Sequence, residues 1–249
     1  MDQAWLHPLL FASGLTASLL NVVAGGGSFL TLPILILTGL PPVVANGTNR
    51  VGILLQNVAA VWAFRRSGVH EPGWAWTAGI PSMLGAIAGT LIASWLADDL
   101  FRQILSWLMI VMCLWTLWDP IGRKAAPTGR EIVTFGWAAR AGIFAAGMYG
   151  GFVQAGVGFL YLAVTTLAGY DLVRGNSLKV LCVLIGTPLS LAIFAARGQV
   201  SWIPGLSLGA GMLLGGFLGA RLTILKGHAW VRGVVTLAVI ALAVKLLAG

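Results

Sequence analysis

Residues 24–68 read AGGGSFLTLPILILTGLPPVVANGTNRVGILLQNVAAVWAFRRSG. Three glycines, Gly25, Gly26 and Gly27, open an apolar run that ends after about a dozen residues at Gly39. A helix of that length rises only about 15–18 Å at 1.5 Å per residue, about half the hydrocarbon thickness of a bilayer. The run that follows, 46–66, is long enough to cross but starts with Asn46, Gly47, Thr48, Asn49 and Arg50. A short apolar segment broken by glycine, followed by a long one with polar residues at its head, marks a membrane protein with a polar interior.

The rest of the chain agrees with that class. Of 249 residues, 58% are hydrophobic and 9% charged, where soluble domains carry about 25% charged residues. The mean hydropathy is +0.92. A water-facing globule is excluded. Apolar windows run at 5–24, 28–39, 46–66, 73–96, 100–118, 134–155, 159–168, 174–196, 202–225 and 230–248. Eight of these read as single crossings, while 28–39 and 159–168 are too short to cross as helices. The expected fold is an all-α polytopic membrane protein forming one transporter domain, with a first repeat over about 5–118, a cytoplasmic linker 119–133 and a second repeat over about 134–248.

The repeat is visible in the landmarks. Shifting by 130 residues lays Gly26, Phe29, Leu30, Leu32, Leu37 and Gly39 on Gly156, Phe159, Leu160, Leu162, Leu167 and Gly169. After a one-residue deletion, Thr48-Asn49-Arg50-Val51 meets Ser177-Leu178-Lys179-Val180, and Gly85/Gly89 then meet Gly215/Gly219. Loop charge orients the copies. Arg65, Arg66 and His70 put one loop inside, Asp98 and Asp99 the next outside, and Arg123, Lys124 and Arg130 the centre inside. In the second copy the richer loop, with Lys226, His228 and Arg232, comes after span 202–225. The copies are therefore expected to be inverted, with both termini outside.

Fifteen Lys and Arg against seven Asp and Glu give a net charge of +8. The cations are scattered between apolar runs, which excludes a nucleic-acid patch. Cys113 and Cys182 show neither metal nor disulfide spacing, and the chain carries no cofactor or ATPase motif. Asp2, Glu71, Asp98, Asp99, Asp119, Glu131 and Asp171 fall at span ends or in loops, which disfavours carboxylate-based cation or proton transport. His7, His70 and His228 are peripheral, so an enzyme is not expected. Trp5, Trp74, Trp76, Trp107, Trp118, Trp202 and Trp230 read as an interfacial belt.

The candidate site is for a small anion, with the lipid bilayer as the other partner. Arg50 and Lys179 head two long helices, where a cation sits against the positive end of the dipole. Such a placement reads either as an anion site or as side chains snorkelling to the interface. Asn46, Thr48, Asn49, Asn176 and Ser177 supply donors. Gly25, Gly26, Gly27, Gly156 and Gly158 offer backbone N–H groups. Ser28 is read as the cap of the first short helix, with Gln154 in the counterpart region of the second. Gln56 and Asn57 lie mid-span, facing protein or a cavity. Gly85/Gly89 and Gly215/Gly219 read as packing faces.

Residues 24–68 and their copy, QAGVGFLYLAVTTLAGYDLVRGNSLKVLCVLIGTPLSLAIFAARG at 154–198, resemble the TauE/SafE (sulfite exporter) family of membrane anion permeases. The resemblance covers the whole chain through its size, span number and duplication. It implies transport of sulfite, sulfoacetate, thiosulfate or related organosulfur anions. The second copy departs from the pattern: Val157 breaks the glycine run, and Ala163 stands where Pro33 stands in the first. The expectation is a secondary transporter, set against an uncoupled anion channel and a non-transporting scaffold subunit.

Overall fold

A computed structural model describes residues 3–23, 25–70, 72–117 and 135–248. Among these residues all regular structure is helical. Helix α1 (Gln3–Val23) ends at the glycine cluster, and α2 (Ser28–Leu37) is the first short element. A turn at Gly39 leads to α3 (Pro42–Arg66). A π-helical turn, Ala75–Gly79, runs into α4 (Ile80–Trp95), and α5 (Asp98–Leu117) follows. The second half has α6 (Trp137–Phe152), the short α7 (Val157–Leu167), α8 (Leu172–Ala196) and α9 (Trp202–Ala248).

The order of elements thus recurs: a helix, a glycine break, a short helix, a tight turn, and a 25-residue helix. The backbone recurs with it. Gly25, Gly39 and Gly68 have positive φ in the first half, and Gly156, Gly169 and Gly198 in the second. Those values lie in the region where a Cβ is strained. The partners are exchanged between halves: α1 packs chiefly on α9, and α6 on α4, while α3 lies between α9 and α8 and α8 between α4 and α3.

Glycine faces allow these crossings. A Cβ on Gly85 or Gly89 would collide with the backbone of Phe144 or Met148 on α6. One on Gly211 or Gly215 would collide with Phe11 or Leu15 on α1. In lipid, small residues at helix contacts let backbones approach where no hydrophobic force draws helices together.

Among the described residues, four helices are long and apolar enough to cross a membrane: Trp5–Val23, Ala75–Trp95, Leu172–Ala196 and Trp202–Lys226. The sequence pattern pointed to eight crossings over the whole chain, and two of the remaining runs fall outside these four for physical reasons. Helix α3 has the length, but Asn46, Thr48, Asn49, Arg50, Gln56 and Asn57 lower its apolarity. Helix α6 stops at 16 residues where the chain turns extended at Val153. The windows 202–225 and 230–248 form one continuous helix, since the connecting residues Lys226–Val231 contain no proline to stop it.

The Trp belt needs one correction. Trp5, Trp76, Trp107 and Trp202 are exposed on the outer surface, but Trp74 is buried and donates from Nε1 to Tyr170 Oη at 3.1 Å. A reachable acceptor inside the bundle makes burial of its indole N–H affordable. Trp118, Asp2, Glu71, Asp119, Glu131 and the linker cations Arg123, Lys124 and Arg130 lie outside the described residues, as do the side chains of Cys113, His228, Trp230 and Arg232.

Gly89→Val should lower the unfolding temperature in detergent markedly, because overpacking of this kind costs about 1–3 kcal/mol. Gly73→Ala, where an added Cβ meets nothing within 4 Å, should leave it nearly unchanged. Equal effects would contradict the assigned packing face.

Candidate anion site at the crossing of two broken helices

A helix that stops inside a packed bundle leaves its last four carbonyls without intrahelical partners. With no water nearby, each orphan costs several kcal/mol. Helices α1 and α6 both stop in this way, and both are completed by the other half of the chain.

At the end of α1, Leu20 O accepts from Gly25 N at 3.2 Å. Asn21 O and Val22 O each accept from Lys179 Nζ at 2.9 Å, and Val23 O accepts from Asn176 Nδ2 at 3.1 Å. At the end of α6, Tyr149 O accepts from Val153 N at 2.7 Å. Gly150 O accepts from Arg50 Nη1 at 3.3 Å and Gly151 O from Arg50 Nη2 at 2.5 Å, while Phe152 O accepts from Asn46 Nδ2 at 2.9 Å. Thr90 Oγ1 also donates to Gly151 O at 3.0 Å.

The two ends are satisfied carbonyl by carbonyl by equivalent residues. Asn46 and Arg50 of α3 serve α6, and Asn176 and Lys179 of α8 serve α1. Arg50 is 0% exposed and Lys179 3%, so neither snorkels to the interface. Each lies near the head of its own helix but points its charge at the negative end of another, where a cation is favoured. That geometry resolves the apparent conflict with the helix dipole.

Ser177 and Thr48 make a second exchanged pair. Ser177 Oγ donates to Val69 O at 2.5 Å, in the turn after α3, and Thr48 Oγ1 accepts from Ser201 N at 2.9 Å, just after α8. Both therefore fasten loops rather than the centre.

The short helices meet at their N-terminal ends. A Cβ on Gly25 would collide with the backbone of Gly158 and Phe159, and one on Gly158 with the backbone of Gly25. Gly27 lies equally close to Ala17 O, and Gly26 faces the ring of Phe159. These glycines are thus required by close approach as well as by conformation. Ser28 is the first helical residue of α2, not its cap. Gly27 holds the cap position without a side-chain bond, and Ser28 Oγ accepts from Asn49 Nδ2 at 3.4 Å. The α-helical backbone of Gly27 sets the boundary one residue earlier than the side-chain pattern indicated.

Two small cavities lie beside this crossing. One is lined by Asn21, Gln56, Asn57, Gln154, Val157, Gly158, Lys179 and Val183. The other contains Ser82, Tyr161, Cys182, Thr187 and Ser190 and shares Gln154, Val157 and Val183 with the first. Each has room for about one water molecule.

The first cavity gathers Gln56, Asn57, Gln154, Gly158 and Lys179 from the sequence-derived set and adds Asn21, whose Nδ2 donates to Gln56 Oε1 at 3.1 Å. Asn46, Arg50 and Asn176 are buried around it as helix-end partners, and Asn49 as the partner of Ser28, without lining either cavity. Asn21 carried no signal in the repeat because Gly151 is its counterpart. The hydroxyls of Ser82 and Tyr161, 2.5 Å apart, were likewise invisible as single residues within apolar runs.

Asn46→Ala and Asn176→Ala should each lower thermal stability in detergent by about 1–3 kcal/mol, the cost of one buried acceptor left unpaired. Effects of similar size are expected, because the two residues serve equivalent carbonyls. A neutral result for both would contradict the helix-end role.

The sulfite exporter TauE/SafE family profile matches residues 10–246. Among curated relatives, a "probable membrane transporter protein" of Haemophilus influenzae is 30% identical over 234 residues, covering 93% of this chain and 91% of the relative. A Sinorhizobium "probable membrane transporter protein ORF9" is 28% identical over 98% of this chain and 93% of its own. "Probable membrane transporter protein YfcA" of Escherichia coli is 29% identical over 99% and 91%. No solved structure gives a significant match. Apolar spanning helices and bacterial relatives place the protein in the inner membrane as a transporter rather than an enzyme. The chain belongs to the sulfite exporter TauE/SafE family.

Proposed function

We propose that the protein is a secondary carrier of small anions, of the sulfite and organosulfur class to which sulfoacetate belongs, with its binding site in the cavity at the crossing of the broken helices. One observation carries this reading: the ammonium of Lys179 and the N-terminal end of α7 at Gly158 converge on a polar cavity whose other polar walls are the amides of Asn21, Gln56, Asn57 and Gln154. Ammonium, amide N–H and helix N-terminus all favour negative charge. No carboxylate lines the cavity to oppose an anion.

Gln56, Asn57 and Gln154 orient the oxyanion by hydrogen bonds, and Lys179 supplies the charge. Arg50, Asn46 and Asn176 hold the helix ends that frame the site. The two halves lie inverted in the bilayer, and rocking of one body against the other exposes the cavity to each side in turn. The exchanged helix pairs α1–α9 and α6–α4 mean that each moving body would contain helices of both halves. The cavities as they stand have room for about one water molecule each, so the site must widen as the bodies move to admit an anion.

Proteoliposomes loaded with the purified protein should show saturable uptake and counterflow of sulfite, thiosulfate or sulfoacetate. Lys179→Ala and Gln154→Ala should each reduce uptake at least tenfold while the protein still purifies as a folded species. Ohmic anion currents without counterflow would contradict a carrier, and full uptake by both variants would contradict the site.

A further inference from the structure

Arg50 and Lys179 occupy equivalent positions and do equivalent work at a helix end, yet they differ in one chemical property. A guanidinium keeps its proton in proteins, whereas an ammonium can give it up. They differ in placement as well. Lys179 lines the central cavity and Arg50 lines neither cavity. Of two matched latches, the one that touches the transport pathway is the one able to release a proton.

We propose that Lys179 carries the coupling proton of this transporter, so that one proton crosses the membrane with each anion bound in the central cavity. The inference rests on the anion-carrier reading above and adds the identity of the co-transported ion. It requires no carboxylate, and none lines either cavity.

The surroundings of Lys179 fit the role. Its three N–H groups are matched by three neutral oxygens: Asn21 O and Val22 O at 2.9 Å and Asn176 Oδ1 at 2.6 Å. These belong to α1 and to α8 itself. From α3 it faces Gln56 and Asn57, from the segment between α6 and α7 Gln154, and from the first turn of α7 Gly158. The titratable groups nearest the same space are Tyr161 of α7 and Cys182 of α8, in the adjoining cavity. Both are uncharged when protonated and supply no counter-charge at neutral pH. Among the described residues the other buried cation, Arg50, is turned to the end of α6. No anionic partner therefore holds the proton on Lys179 when the site is empty.

An anion entering the cavity supplies that partner. Its charge favours –NH3+ over –NH2, and by reciprocity the protonated site favours the anion. When the anion leaves, the N–H bond breaks, the electron pair stays on Nζ, and the proton departs with the anion. The neutral amine then has two donors for three acceptors, so one bond to α1 or to Asn176 is given up. The helix end that frames the empty site is thereby loosened, while the matching end of α6, held by a permanent charge, stays fixed. Occupancy, protonation and the fastening of one helix are linked through a single nitrogen.

The test measures the ratio of protons to anions moved, which does not depend on how fast a variant works. Proteoliposomes carrying an internal pH indicator are given labelled sulfoacetate and, separately, thiosulfate, both fully ionised at neutral pH. The native protein should acidify the lumen in step with anion entry, close to one proton per anion. Lys179→Arg, which keeps the charge but holds its proton, should move anion with the proton ratio reduced to the leak of empty vesicles. Anion entry by the native protein without acidification would overturn the proposal while leaving the carrier reading intact. An unchanged ratio in Lys179→Arg would also overturn it, by showing that the proton travels elsewhere. Should that variant fail to fold, the ratio in the native protein still decides, as does its dependence on an imposed pH gradient. Absence of flux for both anions would overturn this inference together with the proposed function.

Discussion

The constraint on which this structure depends is the satisfaction of eight backbone carbonyls, four at the end of α1 and four at the end of α6. Both helices stop inside the bundle, where a bilayer offers no water to replace the lost intrahelical bonds. In each case one carbonyl is paired by the chain's own next turn and the rest by an asparagine and a cation from the opposite half. The halves are therefore fastened to each other at the very points where each is broken. Neither can close its own helix end alone.

That exchange also accounts for the position of the polar centre. Because α1 and α6 end early, the short helices α2 and α7 must start from within the bundle, and their N-terminal ends meet at Gly25 and Gly158. The ends of α1 and α6 are negative and carry the cations. The starts of α2 and α7 are positive, and one of them borders the cavity that Lys179 lines. Charge of both signs is thus supplied by backbone and two side chains, without a carboxylate in the cavity walls.

Much of this was legible in the sequence. Glycine clusters before runs too short to cross marked the helix breaks, and the recurrence of polar landmarks at a fixed shift related Arg50 to Lys179. The class of the protein followed from composition alone. The direction in which Arg50 and Lys179 point was not legible, because it depends on which helix end packs beside them, a contact 100 or more residues away in sequence. Asn21 was hidden for a related reason: a single amide in an apolar run shows its role only when Gln56 and Lys179 are brought against it. Helix α3 is long but less apolar than the other long helices, because Asn46, Thr48, Asn49, Arg50, Gln56 and Asn57 face the interior of the bundle. The burial of Trp74 rests on Tyr170 Oη, an acceptor 96 residues away.

The central claim is that the cavity between Lys179, Gln154 and Gly158 is where an anion rests. It is tested most directly by an experimental structure of the protein reconstituted in lipid and saturated with sulfoacetate. The account predicts density for one anion in that cavity, within ion-pair distance of Lys179 Nζ and hydrogen-bond distance of the Gln154 amide, with the helix ends of α1 and α6 still fastened by Lys179 and Arg50. Density for the anion at the loop cations instead, with the cavity empty, would contradict it.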